Sequence, residues 1–197
     1  MNETAEARAP RLRLFVALPL PRSAEEALLE AQAALRRRAQ RSRLSPRWIA
    51  ADALHLTLKF LGYVEGERVA ELEAAIANET RVSRPIATSF TGLGAFASLA
   101  RARVVVAHVS DVRAELLALF TRLEAAFEPL GFPLEERAFT PHVTLARIKT
   151  PGDVRSWVSA APLAEVAFTL GAVRLYRSVL KPTGAEYQVV REIPLGA

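Results

Sequence analysis

Two stretches far apart in the chain carry one pattern, and that pattern restricts the folds open to it. Leu54-His55-Leu56-Thr57-Leu58-Lys59-Phe60-Leu61 and Phe139-Thr140-Pro141-His142-Val143-Thr144-Leu145-Ala146-Arg147 both place a histidine and a threonine two residues apart among apolar neighbours. Alternation of this kind is the signature of a strand with one buried face. In an extended chain, residues i and i+2 leave the same face about 6.5–7 Å apart. His55 therefore shares a face with Thr57, and His142 with Thr144, while Leu56, Leu58, Val143 and Leu145 anchor the opposite faces in apolar layers. Each strand must then be backed by its own hydrophobic layer and must aim an imidazole and a hydroxyl away from it.

The surroundings of the two stretches repeat as well. A strand over Leu12–Leu18, stopped by prolines, precedes a helix in which Ser23 and Glu26 have capping-box spacing and Leu28, Ala31 and Leu35 form the apolar face. The first histidine strand ends at Gly62, and a second helix follows over Glu67–Ala77. Residues 85–109 read as sheet, with strand regions at Ile86–Phe96 and Val104–Val106. Asp111 caps a helix through Leu116, Leu119, Phe120, Leu123 and Phe127 that Gly131 stops. The second histidine strand then leads to a short helix reaching Val158. Two strand-like stretches, Val166–Tyr176 and Glu186–Ile193, flank a turn at Lys181-Pro182-Thr183-Gly184. The order points to a diverged internal duplication whose halves pack together, with no linker between them, so the expectation is one domain over residues 1–197 made of two interpacked lobes, residues 1–10 forming a flexible extension.

Composition narrows the function classes. The chain has 197 residues, 51% of them hydrophobic, and no cysteine, which removes disulfides, thiolate metal sites and a cysteine nucleophile together. No stretch approaches the run of about 20 apolar residues that crosses a membrane, and the first thirteen residues lack a signal-peptide core. A cytoplasmic location without membrane association is expected. The net charge of +5 includes the cluster Arg36, Arg37, Arg38, Arg41 and Arg43, which would attract a polyanion but equally suits the C-terminal end of a helix dipole.

Two imidazoles and two hydroxyls around one space suit phosphate-ester chemistry. Opening a cyclic phosphodiester needs a base for water and an acid for the departing oxygen, and histidine serves as either near neutral pH. Threonine hydroxyls donate to the non-bridging oxygens, where negative charge is held in the transition state. One such motif alone is weak, but only three histidines exist and two lie in matched contexts. His108, in Val106-Ala107-His108-Val109, lacks a threonine partner and reads as structural or surface-facing.

These residues resemble the 2H phosphoesterases, specifically the LigT-like bacterial and archaeal RNA 2′,3′-cyclic phosphodiesterases formerly called 2′-5′ RNA ligases. Arg13-Leu14-Phe15-Val16-Ala17 is similar to that branch's opening strand, Trp48 and the stretch from Leu54 to Gly62 to its first motif, the stretch from Phe139 to Arg147 to its second, and Ser178, Gly184 and Tyr187 to its last hairpin. The resemblance implies an α+β bilobal fold, two antiparallel sheets related by a pseudo-twofold axis and flanked by helices, with a phosphate site in a central cleft. It implies metal-independent hydrolysis of a terminal 2′,3′-cyclic phosphate to a 2′-phosphomonoester, with no cofactor, on RNA ends or cyclic nucleotides, by a monomer. Carried over by motif, His55 protonates the leaving 3′-oxygen, His142 activates water, and Thr57 and Thr144 hold the phosphoryl oxygens. Arg147 matches a basic position that holds phosphate, and Phe15 and Lys59 are further candidates for lining the nucleotide site. The stretch Val104-Val105-Val106-Ala107 departs from relatives that often carry a tryptophan there. Competing readings are 2′-5′ ligation of RNA ends, an RNA-binding module without turnover, and a metal site made of His55, His108 and His142, although the last matches no recognised zinc spacing.

Overall fold

A computed structural model of the chain describes residues 10–182 and 184–196. Apart from Pro10, the extension expected over residues 1–10 lies outside the described residues, as does Thr183 of the expected turn. The elements run β1 (Arg11–Pro19), α1 (Arg22–Ala39), β2 (Pro46–Trp48), β3 (His55–Glu65), α2 (Val69–Arg81), β4 (Ile86–Phe96), β5 (Ala102–Val109), α3 (Glu115–Phe127), β6 (His142–Gly152), α4 (Arg155–Val158), β7 (Ala167–Leu170), β8 (Ala172–Lys181) and β9 (Gly184–Pro194).

The strands form one antiparallel sheet in the order β7-β4-β5-β6-β3-β1-β8-β9, with β2 lying beside β6. The two expected sheets are its halves, β7-β4-β5-β6 and β3-β1-β8-β9. They meet where β3 touches β6 through the single ladder pair Leu56–Val143, so the two histidine strands are the pair at the seam. Over their first nine residues β3 and β6 share one sequence of buried, half-buried and exposed positions.

Those helices cover one face. α1 lies against α4 and β7, and α2 lies against α3, β8 and β9. Leu28, Leu35, Leu72, Ile76, Leu116, Leu119, Phe127 and Trp157 are fully buried between helices and sheet, each large apolar side chain contributing about 1.5–3 kcal/mol through burial. Buried Gln32 ties α1 to the seam, its amide donating to the carbonyls of Ile49 at 2.8 Å and Leu145 at 3.0 Å.

Several local expectations change. The capping box at Ser23 and Glu26 does not form, because α1 starts at Arg22 and its N-cap is Pro21, whose carbonyl accepts from the amides of Ala24 and Glu25. Ser23 is therefore already inside the first turn, where its side chain cannot act as the cap. Gly62 does not end β3. It takes φ +73° beside a register shift in the β1–β3 ladder, and the strand continues to Glu65. Asp111 does serve α3, but from a distance: its carboxylate accepts from the amides of Leu116 at 2.9 Å and Leu117 at 2.8 Å. The stretch expected as one strand over Val166–Tyr176 divides at Gly171, with β7 pairing β4 and β8 pairing β1 on opposite sides of the sheet. No helix among the described residues is long and apolar enough to cross a membrane.

Candidate active site

The seam brings the four motif residues together. With Leu56 opposite Val143, antiparallel register sets His55 across from Thr144 and Thr57 across from His142, so the histidines are diagonal neighbours on one face. Diagonal partners in such a ladder lie about 7–8 Å apart, room for a tetrahedral phosphorus between the rings. The helix contacts of these strands are made from the other face, by Gln32 of α1 to Leu145 and by Glu124 of α3 to Lys59. All four side chains are half-buried, placed in the floor of the cleft.

Both imidazoles are held in the same way. His142 Nδ1 lies 2.7 Å from the Thr140 carbonyl, and His55 hydrogen-bonds the Ala53 carbonyl, in each case the residue two positions earlier. For His142 the proton on Nδ1 is fixed by that carbonyl, which leaves Nε2 of the neutral ring to act as an acceptor. His55 is also packed by aromatic rings, with centroid distances of 5.0 Å to Phe15, 5.8 Å to Tyr176 and 5.3 Å to the edge-on Tyr187. On the other half, Phe96 stands edge-on to His142 at 4.9 Å.

Burial disfavours the charged form of both rings. Burial is the main cause that lowers His55, from 6.5 to about 4, with the Ala53 carbonyl opposing and the positive charges of Arg147 and His142 adding to the fall. His142 is lowered too, again chiefly by burial, with the Thr140 carbonyl opposing and His108 and Arg147 assisting. The unfolded chain therefore binds protons more readily than the folded one, so stability present above about pH 6.5 is lost as pH falls toward about 4. The thermal midpoint of the wild type is expected to drop across that window and that of His55→Gln to drop less; parallel curves would place the acid sensitivity elsewhere.

Of the three further candidates, Arg147 belongs to the cleft. It is exposed, and its charge acts on both histidines. Strict alternation would have turned it away from His142, but the β5–β6 ladder shifts register between Val105 and Val106, and the bulge restores Arg147 to the cleft face. Lys59 meets the opposite fate. The matching bulge in β3, at the shift between Val16 and Ala17 in the β1–β3 ladder, rotates Lys59 to the helix-covered face. There its ammonium lies 2.6 Å from Glu124 Oε1 and 2.8 Å from the Pro133 carbonyl, so the residue lines no nucleotide site and is not solvated either. Phe60, next in sequence, takes the cleft face instead and lies 5.9 Å from Phe15. Phe15 is on the cleft side of the sheet but only 1% exposed; it stacks on Tyr176 at 5.0 Å and 9° and backs His55, with no ring surface open to a base.

Other residues join the cleft without a signal in their own sequence context. His108 pairs directly with His142 across β5 and β6, and a side chain at Gly94 would overlap His108 Nε2, so a glycine in β4 makes the seat for that ring. The three histidines stand on adjacent strands, yet among the described residues no three His, Cys, Asp or Glu side chains gather as a metal-holding group. From the arginine cluster, Arg36 lies over the Trp48 ring at 5.0 Å and donates to Gln32, which gives at least that member a packing role. A cavity of about 280 Å³ opens beside His55, lined by Arg47, Trp48, Ala53, Arg147, Gly184 and Tyr187 among others.

Comparison with known proteins bears on this arrangement. The model of the 2'-5' RNA ligase superfamily matches residues 19–181. A Geobacillus stearothermophilus protein named RNA 2',3'-cyclic phosphodiesterase is 30% identical over 192 residues, covering 94% of this chain; the chain spans 58% of that relative's length. Among solved structures, TT0787 of Thermus thermophilus superposes with a TM-score of 0.79 at 31% identity, over 94% of this chain and 98% of the other. E. coli LigT complexed with 3'-AMP gives a TM-score of 0.69 at 26% identity, over 95% and 100%.

Proposed function

Because the chain belongs to the 2'-5' RNA ligase superfamily of 2H phosphoesterases, we propose that it is an RNA 2′,3′-cyclic phosphodiesterase that opens a terminal cyclic phosphate to a 2′-phosphomonoester by two-histidine acid–base catalysis. The observation that carries this reading is the register at the seam, where Leu56 meets Val143 and two His-Thr pairs face one another diagonally. The relatives named RNA 2',3'-cyclic phosphodiesterase support the reaction, and the 3'-AMP complex of LigT supports a nucleotide in the cleft.

His142 Nε2 takes a proton from water as its oxygen bonds to phosphorus. The P–O3′ bond breaks, and His55 delivers its proton to the departing 3′-oxygen. Thr57, Thr144 and Arg147 donate to the non-bridging oxygens. Burial disfavours the charged form of both rings, so the proton that His55 delivers is taken up together with the substrate. The anionic substrate supplies the opposite charge that favours the protonated ring. No residue of the set calls for a metal. The relevant test is product analysis after incubation with a 2′,3′-cyclic mononucleotide in excess chelator. A 2′-phosphate product is expected; a 3′-phosphate, a joined product, no product, or dependence on added metal would each overturn the assignment.

A further inference from the structure

Resting on that reading, we propose that Arg47, one strand outside Arg147, forms a second phosphate site, one nucleotide away from the scissile group. It receives the 5′-phosphodiester of the terminal nucleotide and makes an RNA end, rather than a lone cyclic nucleotide, the preferred substrate.

Arg47 in β2 is paired in register with Arg147 in β6. Directly opposed residues of antiparallel strands project from the same face with Cα atoms about 4.5–5.5 Å apart. Arg147 is near enough to both imidazoles for its charge to act on them, and Arg47 stands one strand farther out. The two guanidiniums therefore mark an inner and an outer anion position along one line leaving the histidines. Both line the cavity of about 280 Å³, whose Tyr187 wall packs its edge on His55 and whose Ala53 supplies the carbonyl that holds the same ring. A nucleoside is of the size that would fill this space, with its 3′ side at the histidines and its 5′ side toward β2.

The outer position is built into the fold. A Cβ at Gly184, where φ is +148°, would overlap Arg47 Nη2. Glycine at the start of β9 thus permits the guanidinium to lie against the start of that strand, at the wall of the cavity. The carboxylate of the lining, Glu186, is paired with Lys181 at 2.6 Å, so the opening keeps a positive potential. An arginine fork matches the oxygens of a phosphodiester in a bidentate way that an ammonium does not.

The test compares adenosine 2′,3′-cyclic phosphate with the dinucleotide ApA ending in the same cyclic phosphate, because only the second carries the extra phosphodiester. The wild type is expected to favour the dinucleotide by about tenfold in kcat/KM. In Arg47→Gln that ratio is expected to fall close to one, and in Arg47→Lys to an intermediate value. Absence of the preference in the wild type, or its persistence in Arg47→Gln, overturns the proposal. Calorimetric binding of both ligands to His142→Ala, with and without Arg47→Gln, separates this outcome from failure of the hydrolase reading. Tighter binding of the dinucleotide that disappears with Arg47 supports the outer site even if no cyclic phosphate is opened, and equal binding of the two ligands overturns it whatever the turnover.

Discussion

The His142→Ala protein is expected to open a 2′,3′-cyclic nucleotide about 10²–10⁴-fold more slowly than the wild type, and His55→Ala to be impaired over the same range, each role being worth that much as general acid or base. The physical reason is that cyclic-ester hydrolysis develops charge on both the entering and leaving oxygens, and each ring relieves one of them. KM should change little in His142→Ala, because a neutral imidazole acting as base carries no charge that holds phosphate. The double variant should lose little more than the worse single one, since the two act as a unit. Initial rates at fixed pH give the comparison. A variant that keeps most of the wild-type rate would remove that histidine from the chemistry. Wild-type kcat/KM should also fall at both acidic and alkaline pH, one imidazole having to be neutral and the other protonated.

The second large effect lies on the opposite face of the same strand. Lys59→Met is expected to destabilise the fold by about 3–5 kcal/mol, because it strands a buried carboxylate. Lys59 and Glu124 side chains are 6% and 7% exposed with 2.6 Å between the charged atoms, and Glu124 also accepts from the Glu135 amide at 2.7 Å. Removing the ammonium leaves that anion beneath α3 with a single amide for compensation. For a chain of this length the loss corresponds to a fall in Tm of about 10 °C. Lys59→Met combined with Glu124→Met should recover much of it, since removing both charges removes the desolvation cost. Thermal unfolding followed by circular dichroism reads both; a single variant as stable as the double one would show that the pair carries no stability of its own. Activity at temperatures where the variants remain folded should be retained, which separates this lysine from the cleft.

Lys59 and Arg147 illustrate how far local reading reaches. Each is a basic candidate downstream of a motif histidine, and period-two alternation puts Lys59 with His55 but Arg147 away from His142. The structure reverses both, because each strand carries an irregularity directly after its threonine. A bulge is specified by the partner strand as much as by its own residues, so neither reversal is written in the motif itself. The same holds for His108, whose place beside His142 depends on β5 pairing with β6 and on Gly94 leaving space in β4. Tyr176 and Tyr187 come to His55 from the end of the chain through the β1–β8 and β8–β9 ladders, a relation no local pattern carries. By contrast, the strand Ile86–Phe96 is legible to the residue, since apolar and β-forming residues recur between prolines and glycines.

By itself the sequence determined the things that depend on near neighbours along the chain: two strands with one apolar face each, helices with a single buried stripe, and the pairing of each imidazole with a hydroxyl two residues on. These follow from fixed backbone periods, which hold wherever the segment comes to rest. Only the tertiary structure decided which strands became adjacent, where the ladders slip, and hence which face Lys59, Phe60, Arg47 and Arg147 occupy. Those outcomes are set by the fit of sheet halves and helices around a shared core, and a shift of one residue in a ladder exchanges cleft for core.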